Sequence, residues 1–533
     1  MNRMKSSEMV KKYSVQYIWT WVIVILLLLV CQITAKPLTA QERLANPSEA
    51  SENLAGKKPP TPFAEPKLSV TRHSIQVDGK KLNYTATAGY IQLKDEAGKP
   101  RANMFFVAYV KDDEESKSRR PITFAFNGGP GAASIFLHLG ALGPKRARLG
   151  DDKALPPPYQ LATNEYTWLD FTDLVFIDPV GTSYSRPAPG VEPKEFYGVK
   201  GDIQSVGEFI RIYLTRYQRW LSPKFIVGES YGTTRAAGLS GYLQNKLGIN
   251  FNGILLISEV LNFQTIMFSP GNDLPYILYL PPYTIAAWYH RRLPPALQSN
   301  LAKTLEEVEK FALNEYTLAL TKGNGLSDEE RDRIIEKLAD YTGLSKTYIK
   351  NSNLRIDRDD FVKELLRDEN RRIGVLDSRI SASYKIHEFV EDPSVFVVVG
   401  PLVATWNDYV RNELKYETEM PYEILSEKVN ELWNWGSATG GLGYVDVAKI
   451  LQQAMNENRF LKIFIASGYY DLDTSYFATK YTVNHLNLDP SSRNNITLAY
   501  YDGGHQMYTH LPSLKKLKTD ASAFMRRTLE SGR

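Results

Sequence analysis

Cysteine is almost missing from this chain. Its 533 residues include one, Cys31. That residue closes an apolar stretch near the N-terminus, so the remainder can form no disulfide and no cysteine-ligated metal site. Histidine is also scarce, at seven residues. No cluster has metal-ligand spacing, and no Glu/His pairing recurs at helical spacing, so neither a metal nor another cofactor is expected. An excess of one charge is lacking too. Lys and Arg number 64 against 60 Asp and Glu, and the net charge of +4 gives no argument for a nucleic-acid partner or a membrane surface. There is no internal repeat. Hydrophobic residues at 43% and charged residues at 23% are ordinary for a globular protein. Tyrosine is plentiful at 32 residues, which suits an aromatic-walled cleft and a large core equally well.

The N-terminus reads as an address. Lys5, Lys11 and Lys12 form a basic region, residues 19–30 an apolar core of signal length, and Ala35 and Ala40 offer small residues before a cleavage point. Removal through about Ala40 would export a periplasmic or secreted protein with no stable membrane partner. The alternative is an uncleaved anchor, because counting from Tyr17 approaches spanning length. Leu28-Leu29-Val30 lacks the small residues of a lipidation site, so Cys31 is read as a passive apolar residue. An exported protein without disulfides leans bacterial. Residues 41–67, rich in Pro, Ala, Glu, Ser and Lys, read as a disordered linker.

Order is expected from Leu68. Residues 74–77 and 82–88 flank Asp78-Gly79, a hairpin signal. Strands at 90–93, 102–110 and 122–126 extend it into an antiparallel meander. The pattern then alternates: a buried strand at 173–178, apolar residues at helical spacing over 202–221, a short strand at 224–227, a helix over 233–247, a strand at 253–258. Such alternation implies parallel pairing with crossover helices. Residues 262–391 break the rhythm with Tyr- and Pro-rich turns, Leu280-Pro281-Pro282-Tyr283 among them, and charged helices over 306–322 and 328–344. They read as a helical cap inserted into an α/β core made of 68–261 and 392–533. Strand, helix and strand return at 460–467, 474–486 and 495–501, and a helix closes the chain at 511–529.

Between the strand at 224–227 and the helix from Thr233 stands Gly228-Glu229-Ser230-Tyr231-Gly232. Small residues at both ends permit the sharp strand-to-helix turn that lifts a serine hydroxyl above a sheet edge, and the helix N-terminus behind it favours negative charge. A serine nucleophile needs a base, a group to orient that base, and oxyanion donors. In α/β-hydrolases the order is serine, acid, histidine. His290 and His387 fall in the cap and His485 in a helix. His505 follows a strand on the glycine loop Asp502-Gly503-Gly504, and His510 is the runner-up. The acid should end the preceding strand. Asp471 and Asp473 are both available after Gly468, with spacing favouring Asp471 and the other left as a helix cap. Glycines in Asn127-Gly128-Gly129-Pro130-Gly131 let backbone approach a substrate oxygen, so Gly129 N–H and Tyr231 N–H form the expected donor pair.

At this point the chain resembles the serine carboxypeptidase family of α/β-hydrolases. Asn127-Gly128-Gly129-Pro130-Gly131 is similar to its W-x-N-G-G-P-G block. Asn164 to Trp168, with Leu174 to Ser185, is similar to its N-P-x-S-W…L-F-L-D-x-P-x-G block. Gly228-Glu229-Ser230-Tyr231 is similar to its G-E-S-Y elbow. Asp471 and His505 stand where that family's acid and base stand. The resemblance implies an α/β-hydrolase fold with an inserted cap, release of C-terminal residues from a peptide substrate, and binding of the substrate carboxylate by Asn127 and Glu229. The chain departs from the pattern at Ala125, Ala132, Ala141 and Arg235. Ala141 stands where the family has a glutamate that shares a proton with the one before the serine. With that partner gone, Arg235 or Arg146 is expected to supply part of the carboxylate site, since arginine binds carboxylates bidentately at any working pH. An esterase or acyl transferase using the same residues, and a non-catalytic binding protein on the same fold, remain the alternatives. Oligomeric state is not legible.

Overall fold

The computed structural model describes residues 68–112, 117–384, 392–437 and 443–530. The N-terminal signal, Cys31, the 41–67 linker and His387 lie outside them. The chain begins with a hairpin of β1 (Ser69–Val77) and β2 (Lys80–Lys94), turned by Asp78 and Gly79, both at positive φ. β3 (Pro100–Lys111) continues the antiparallel meander. The strands that follow are β4 (Ile122–Phe126), β5 (Asp173–Ile177), β6 (Lys224–Glu229), β7 (Gly253–Ile257), β8 (Lys462–Gly468) and β9 (Ile496–Tyr501). They join β3 in one sheet in the order β1-β2-β3-β5-β4-β6-β7-β8-β9. Every pairing from β5 to β9 is parallel. The expected mostly parallel sheet behind an antiparallel meander is therefore what the chain forms.

The reason is visible in the strands. β4, β5 and β7 are buried at every position, as apolar runs must be when helices cover both faces of a sheet. One face is covered by α1 (Val199–Arg216) and α2 (Tyr231–Leu247), and by a helix at Ala448–Glu457. The other meets residues 135–142, a helix at Pro393–Asn412 and the closing helix Leu511–Glu530. A third apolar cluster holds together the helices between Leu274 and Glu364, includes Leu472 and Tyr476 from the segment after β8, and meets β9 at Tyr500.

Several elements differ from the sequence reading. Helix α1 ends at Arg216, and Gln218 turns the chain at positive φ, because Trp220 and Leu221 face solvent. Leu280-Pro281-Pro282-Tyr283 lies within the helix Leu274–Tyr289, where turns were expected. That helix is buried on nearly all sides, and packing outweighs the roughly 3 kcal/mol that proline costs inside a helix. A small hairpin, Arg371–Ile373 with Ser381–Ser383, interrupts the region read as helical. The helix Pro393–Asn412 intervenes before the strand–helix rhythm resumes at β8.

At the lower rim of the sheet, Asp173 opens β5 and takes two buried cations. Arg120 Nε lies 2.7 Å from Oδ1 and Arg219 Nη1 2.6 Å from Oδ2. Replacing Asp173 by Ala leaves both guanidiniums buried without their carboxylate, and should cost about 3–5 kcal/mol of unfolding free energy. Chemical denaturation checks this, and a loss below about 1 kcal/mol would show that the arginines find other partners.

Candidate active site

The serine turn is built by what its neighbours lack. Ser230 sits between β6 and α2 at φ 58°, ψ −132°, a conformation non-glycine residues avoid. A Cβ on Gly228 would lie 2.2 Å from Gly232 O, and one on Gly232 2.9 Å from Phe126 O. Two glycines are thus what lets the chain reverse here. Ser230 N–H donates to Ile257 O, and Thr234 Oγ1 to Val260 O, which anchors the turn to the end of β7.

Beyond β8, Asp471 is fully buried, and its Oδ2 lies 2.8 Å from Nδ1 of His505. Its carboxylate also accepts from Asp473 N–H, Thr474 N–H and Thr474 Oγ1, so it is held from several sides. Asp473 is bonded elsewhere, at 3.0 Å from Arg358 Nη1. Burial by itself would lower the His505 pKa, but the adjacent Asp471 carboxylate outweighs it and raises the imidazole. His510 turns instead to Ser513 Oγ, and His290 to the carbonyl of Ser378.

The histidine loop is fixed by residues 375–378. His505 N–H donates to Leu376 O at 2.6 Å, and Leu472 N–H to Val375 O. Ser378 N–H donates to Tyr470 O. Gly504 is packed so closely that a Cβ would lie 2.2 Å from Leu376 O. Residues 375–378 are therefore wedged between the acid loop and the histidine loop.

Opposite the serine, residues 127–131 lie directly on the turn: a Cβ on Gly128 would come within 2.4 Å of Tyr231 N. Gly129 and Gly131 adopt positive φ. Neither Gly129 N–H nor Tyr231 N–H is matched to an acceptor among the described backbone bonds. Asp178 pins the far end of this loop by accepting from both the N–H and the hydroxyl of Ser134; burial pushes its carboxyl up to about 6.

Asn127 and Glu229 line one cavity of about 200 Å³ together with Ser230 and His505. Phe136, Val395, Val398, Val399 and Leu425 give it an apolar stretch of wall, and Asp473 and Gln506 also line it. Asn127 Oδ1 accepts from Leu137 N–H, and its side chain also hydrogen-bonds Glu229 and Tyr508. Burial pushes the Glu229 carboxyl up to about 7. A second cavity of about 310 Å³ opens on the other side of Ser230 and Gly129, walled by Phe263, Met267, Phe268 and Trp435.

Arg235 does not join this arrangement, which corrects the expected arginine clamp. It is 1% exposed, its Nε is 2.7 Å from Asp202 Oδ2, and its Nη1 donates to the carbonyl of Asn127. Its charge is already matched, and it supports the loop from behind. Arg146 lies on the short strand Lys145–Ala147 and does not line either cavity. Two contributors escaped the sequence reading. Tyr508, three residues past His505, donates its hydroxyl to Glu229 Oε2 at 2.7 Å. The valines of the helix Pro393–Asn412 wall the cavity from a segment read only as returning core. No group of three or more acidic, His or Cys side chains is placed to hold a metal among the described residues, and no described helix is long and apolar enough to cross a membrane.

Comparison with known proteins identifies the family and the fold. The serine carboxypeptidase family model matches residues 76–513. "Serine carboxypeptidase-like 36" of Arabidopsis thaliana is 27% identical over 34% of this chain and 36% of its own length. "Pheromone-processing carboxypeptidase KEX1" of Arthroderma otae is 24% identical over 62% of this chain and 52% of its own. The alignments to these curated relatives thus span about a third to a half of the relatives' lengths. The crystal structure of the Saccharomyces cerevisiae prohormone-processing carboxypeptidase KEX1(delta)p superposes with a TM-score of 0.53 at 16% identity, covering 83% of this chain and 91% of that one. The fold is the α/β-hydrolase fold.

Removing Arg235 separates support from recognition. Arg235→Ala strands the buried Asp202 carboxylate and should lower stability by about 3–5 kcal/mol. The ratio of activity on a free C-terminus to that on its amide, per folded molecule, should stay unchanged. A selective loss on the free acid at unchanged stability would restore the arginine clamp.

Proposed function

The chain belongs to the serine carboxypeptidase family, and on that premise we propose that it is a serine hydrolase releasing C-terminal residues from peptides. The observation that carries this reading is a single cavity in which Ser230 and the Asp471-bonded His505 face Asn127 and Glu229. Nucleophile and base stand beside two side chains able to grip a carboxylate.

In this reading Ser230 Oγ attacks the last peptide carbonyl while His505 Nε2 takes its proton. Nδ1–H donates to Asp471, which fixes the tautomer and stabilises the imidazolium that forms. The developing oxyanion is held by Gly129 N–H and Tyr231 N–H. His505 then returns the proton to the leaving amine, and water repeats the sequence on the acyl-enzyme. The leaving amino acid occupies the cavity of about 200 Å³, its carboxylate toward Asn127 and Glu229 and its side chain against Phe136 and the valines. That wall favours an apolar C-terminal residue. Export and a soluble mature enzyme are part of this proposal and rest on the N-terminal pattern. A bacterial origin rests on the missing disulfides alone, and the plant and fungal relatives named above lend it no support.

Ser230→Ala should lower kcat by a factor on the order of 10⁴ or more without unfolding the protein. Asp471→Asn should cost far more kcat than Asp473→Asn, because only Asp471 bonds the imidazole. Near-wild-type turnover in the serine variant would end the covalent reading, and a larger loss at Asp473 would reverse the assignment of the acid.

Carboxylate recognition should titrate. Two ionised carboxylates repel, so Glu229 holds a terminal carboxylate only when it carries its proton. Because its pKa is raised to about 7, that form is complete well below pH 7 and is lost as pH rises through it. The measurement is kcat/KM against pH for a leucine-terminated peptide and its C-terminal amide. Preference for the acid should be greatest near pH 5 and fade above neutrality. Equal rates on acid and amide at every pH would sink the carboxypeptidase reading and leave an esterase or acyl transferase.

A further inference from the structure

Tyr508 is the residue that no sequence pattern singled out, and its position is unusually constrained. It sits on the 3₁₀ turn Met507–Thr509, next to the histidine loop, and is 2% exposed. Its ring lies against Gly140, where a Cβ would stand 2.7 Å from Tyr508 Cε2. A side chain at that position would displace the ring. Ala141, next in sequence, carries no polar group. The hydroxyl therefore has a prepared seat, and from it donates to Glu229 Oε2.

Glu229 is faced by few groups. Tyr508 approaches from the turn after the base and Asn127 from the loop after β4. His505, with Asp471 behind it, lies across the cavity, and Asp473 lines the same space. Arg235 reaches the Asn127 carbonyl from behind, its charge matched by Asp202. Tyr508 and Asn127 both hydrogen-bond the Glu229 carboxyl, Asn127 also bonds Tyr508, and it is Tyr508, its ring seated against Gly140, that donates to Oε2.

We propose that Tyr508 is a positioning residue for carboxylate recognition: by occupying Glu229 Oε2 as a donor, it directs the acid proton to the other carboxyl oxygen, which offers it to the substrate's terminal carboxylate. This rests on the carboxypeptidase reading above and adds to it how a single acid, without a second carboxyl to share its proton, is kept oriented. A neutral carboxyl has one proton and two oxygens. With Oε2 accepting from the phenol, the proton resides on Oε1 and the rotated arrangement is disfavoured, because it would set two O–H groups against each other. Burial and the adjacent Glu229 push the phenol well above its ordinary pKa of 10, so Tyr508 keeps its own proton throughout the working range. Recognition then switches on one proton. The same bond favours the ionised form of Glu229, so it sets where that switch falls.

The test is Tyr508→Phe, which keeps the ring and deletes the donor, assayed as kcat/KM against pH on the peptide and its amide. The preference for the free acid near pH 5 should drop on the order of tenfold, about the worth of one hydrogen bond. The pH at which preference fades should move upward, since the donor that stabilised the ionised carboxyl is gone. Turnover of the amide should change little. A merely structural role would lower both substrates together and leave the pH midpoint in place, and that result overturns the inference while leaving the carboxypeptidase reading standing. A wild-type enzyme with no acid preference would overturn both. Should Tyr508→Phe fail to fold, infrared titration of the wild type still decides. The carboxyl band that vanishes in Glu229→Gln should titrate in one step near neutrality. Two steps, or a midpoint in the ordinary carboxylate range, would defeat the proposal.

Discussion

The site depends on one backbone conformation that costs energy. Ser230 is held at positive φ, where a non-glycine residue loses about 1–3 kcal/mol. The compensation comes from the close seating of Gly228 and Gly232, from the bonds to the end of β7, and from a parallel sheet whose strands are buried on both faces. Tyr231 N–H at the start of a helix is matched to no acceptor among the described backbone bonds, and the loop 127–131 lies close enough that Gly128 tolerates no side chain.

Against that constraint the acid–base pair is a second, electrostatic construction. Among the described residues no lysine or arginine pairs with the buried Asp471; its charge is met by three donors and the imidazole. The nearby cation, Arg358, is committed to Asp473 and Asp359. An arginine on Asp471 would compete with His505 for the same oxygen. The two aspartates, two residues apart in sequence, are thus turned to different partners, Asp471 to the imidazole and Asp473 to Arg358.

How much of this was legible before the structure follows from the kind of information each feature uses. The elbow, the meander and the parallel strands are local in sequence: glycine spacing, hairpin turn chemistry and unbroken apolar runs. Their type could be read directly, with helix ends displaced by a few residues where exposed Trp220 and Leu221 continued a periodic pattern beyond the core. Arg235 was misread because proximity in sequence to Ser230 says nothing about which way a helical side chain points. It lies on the inner side of α2, paired with Asp202 from the neighbouring α1. Tyr508 was missed for the converse reason: its contact with Glu229 spans 279 residues, and a tyrosine among 32 carries no signal. The one available hint was the pair of small residues at 140 and 141, which left room for a side chain from elsewhere. The proline pair inside the helix Leu274–Tyr289 shows the same limit, since local propensity lost to burial on nearly every side.

The wedge of residues 375–378 ties two things together: Leu376 both lines the cavity beside Ser230 and supplies the carbonyl that anchors His505. A change of shape in this segment would therefore reach the pocket wall and the orientation of the imidazole at once, so neither could be altered without disturbing the other.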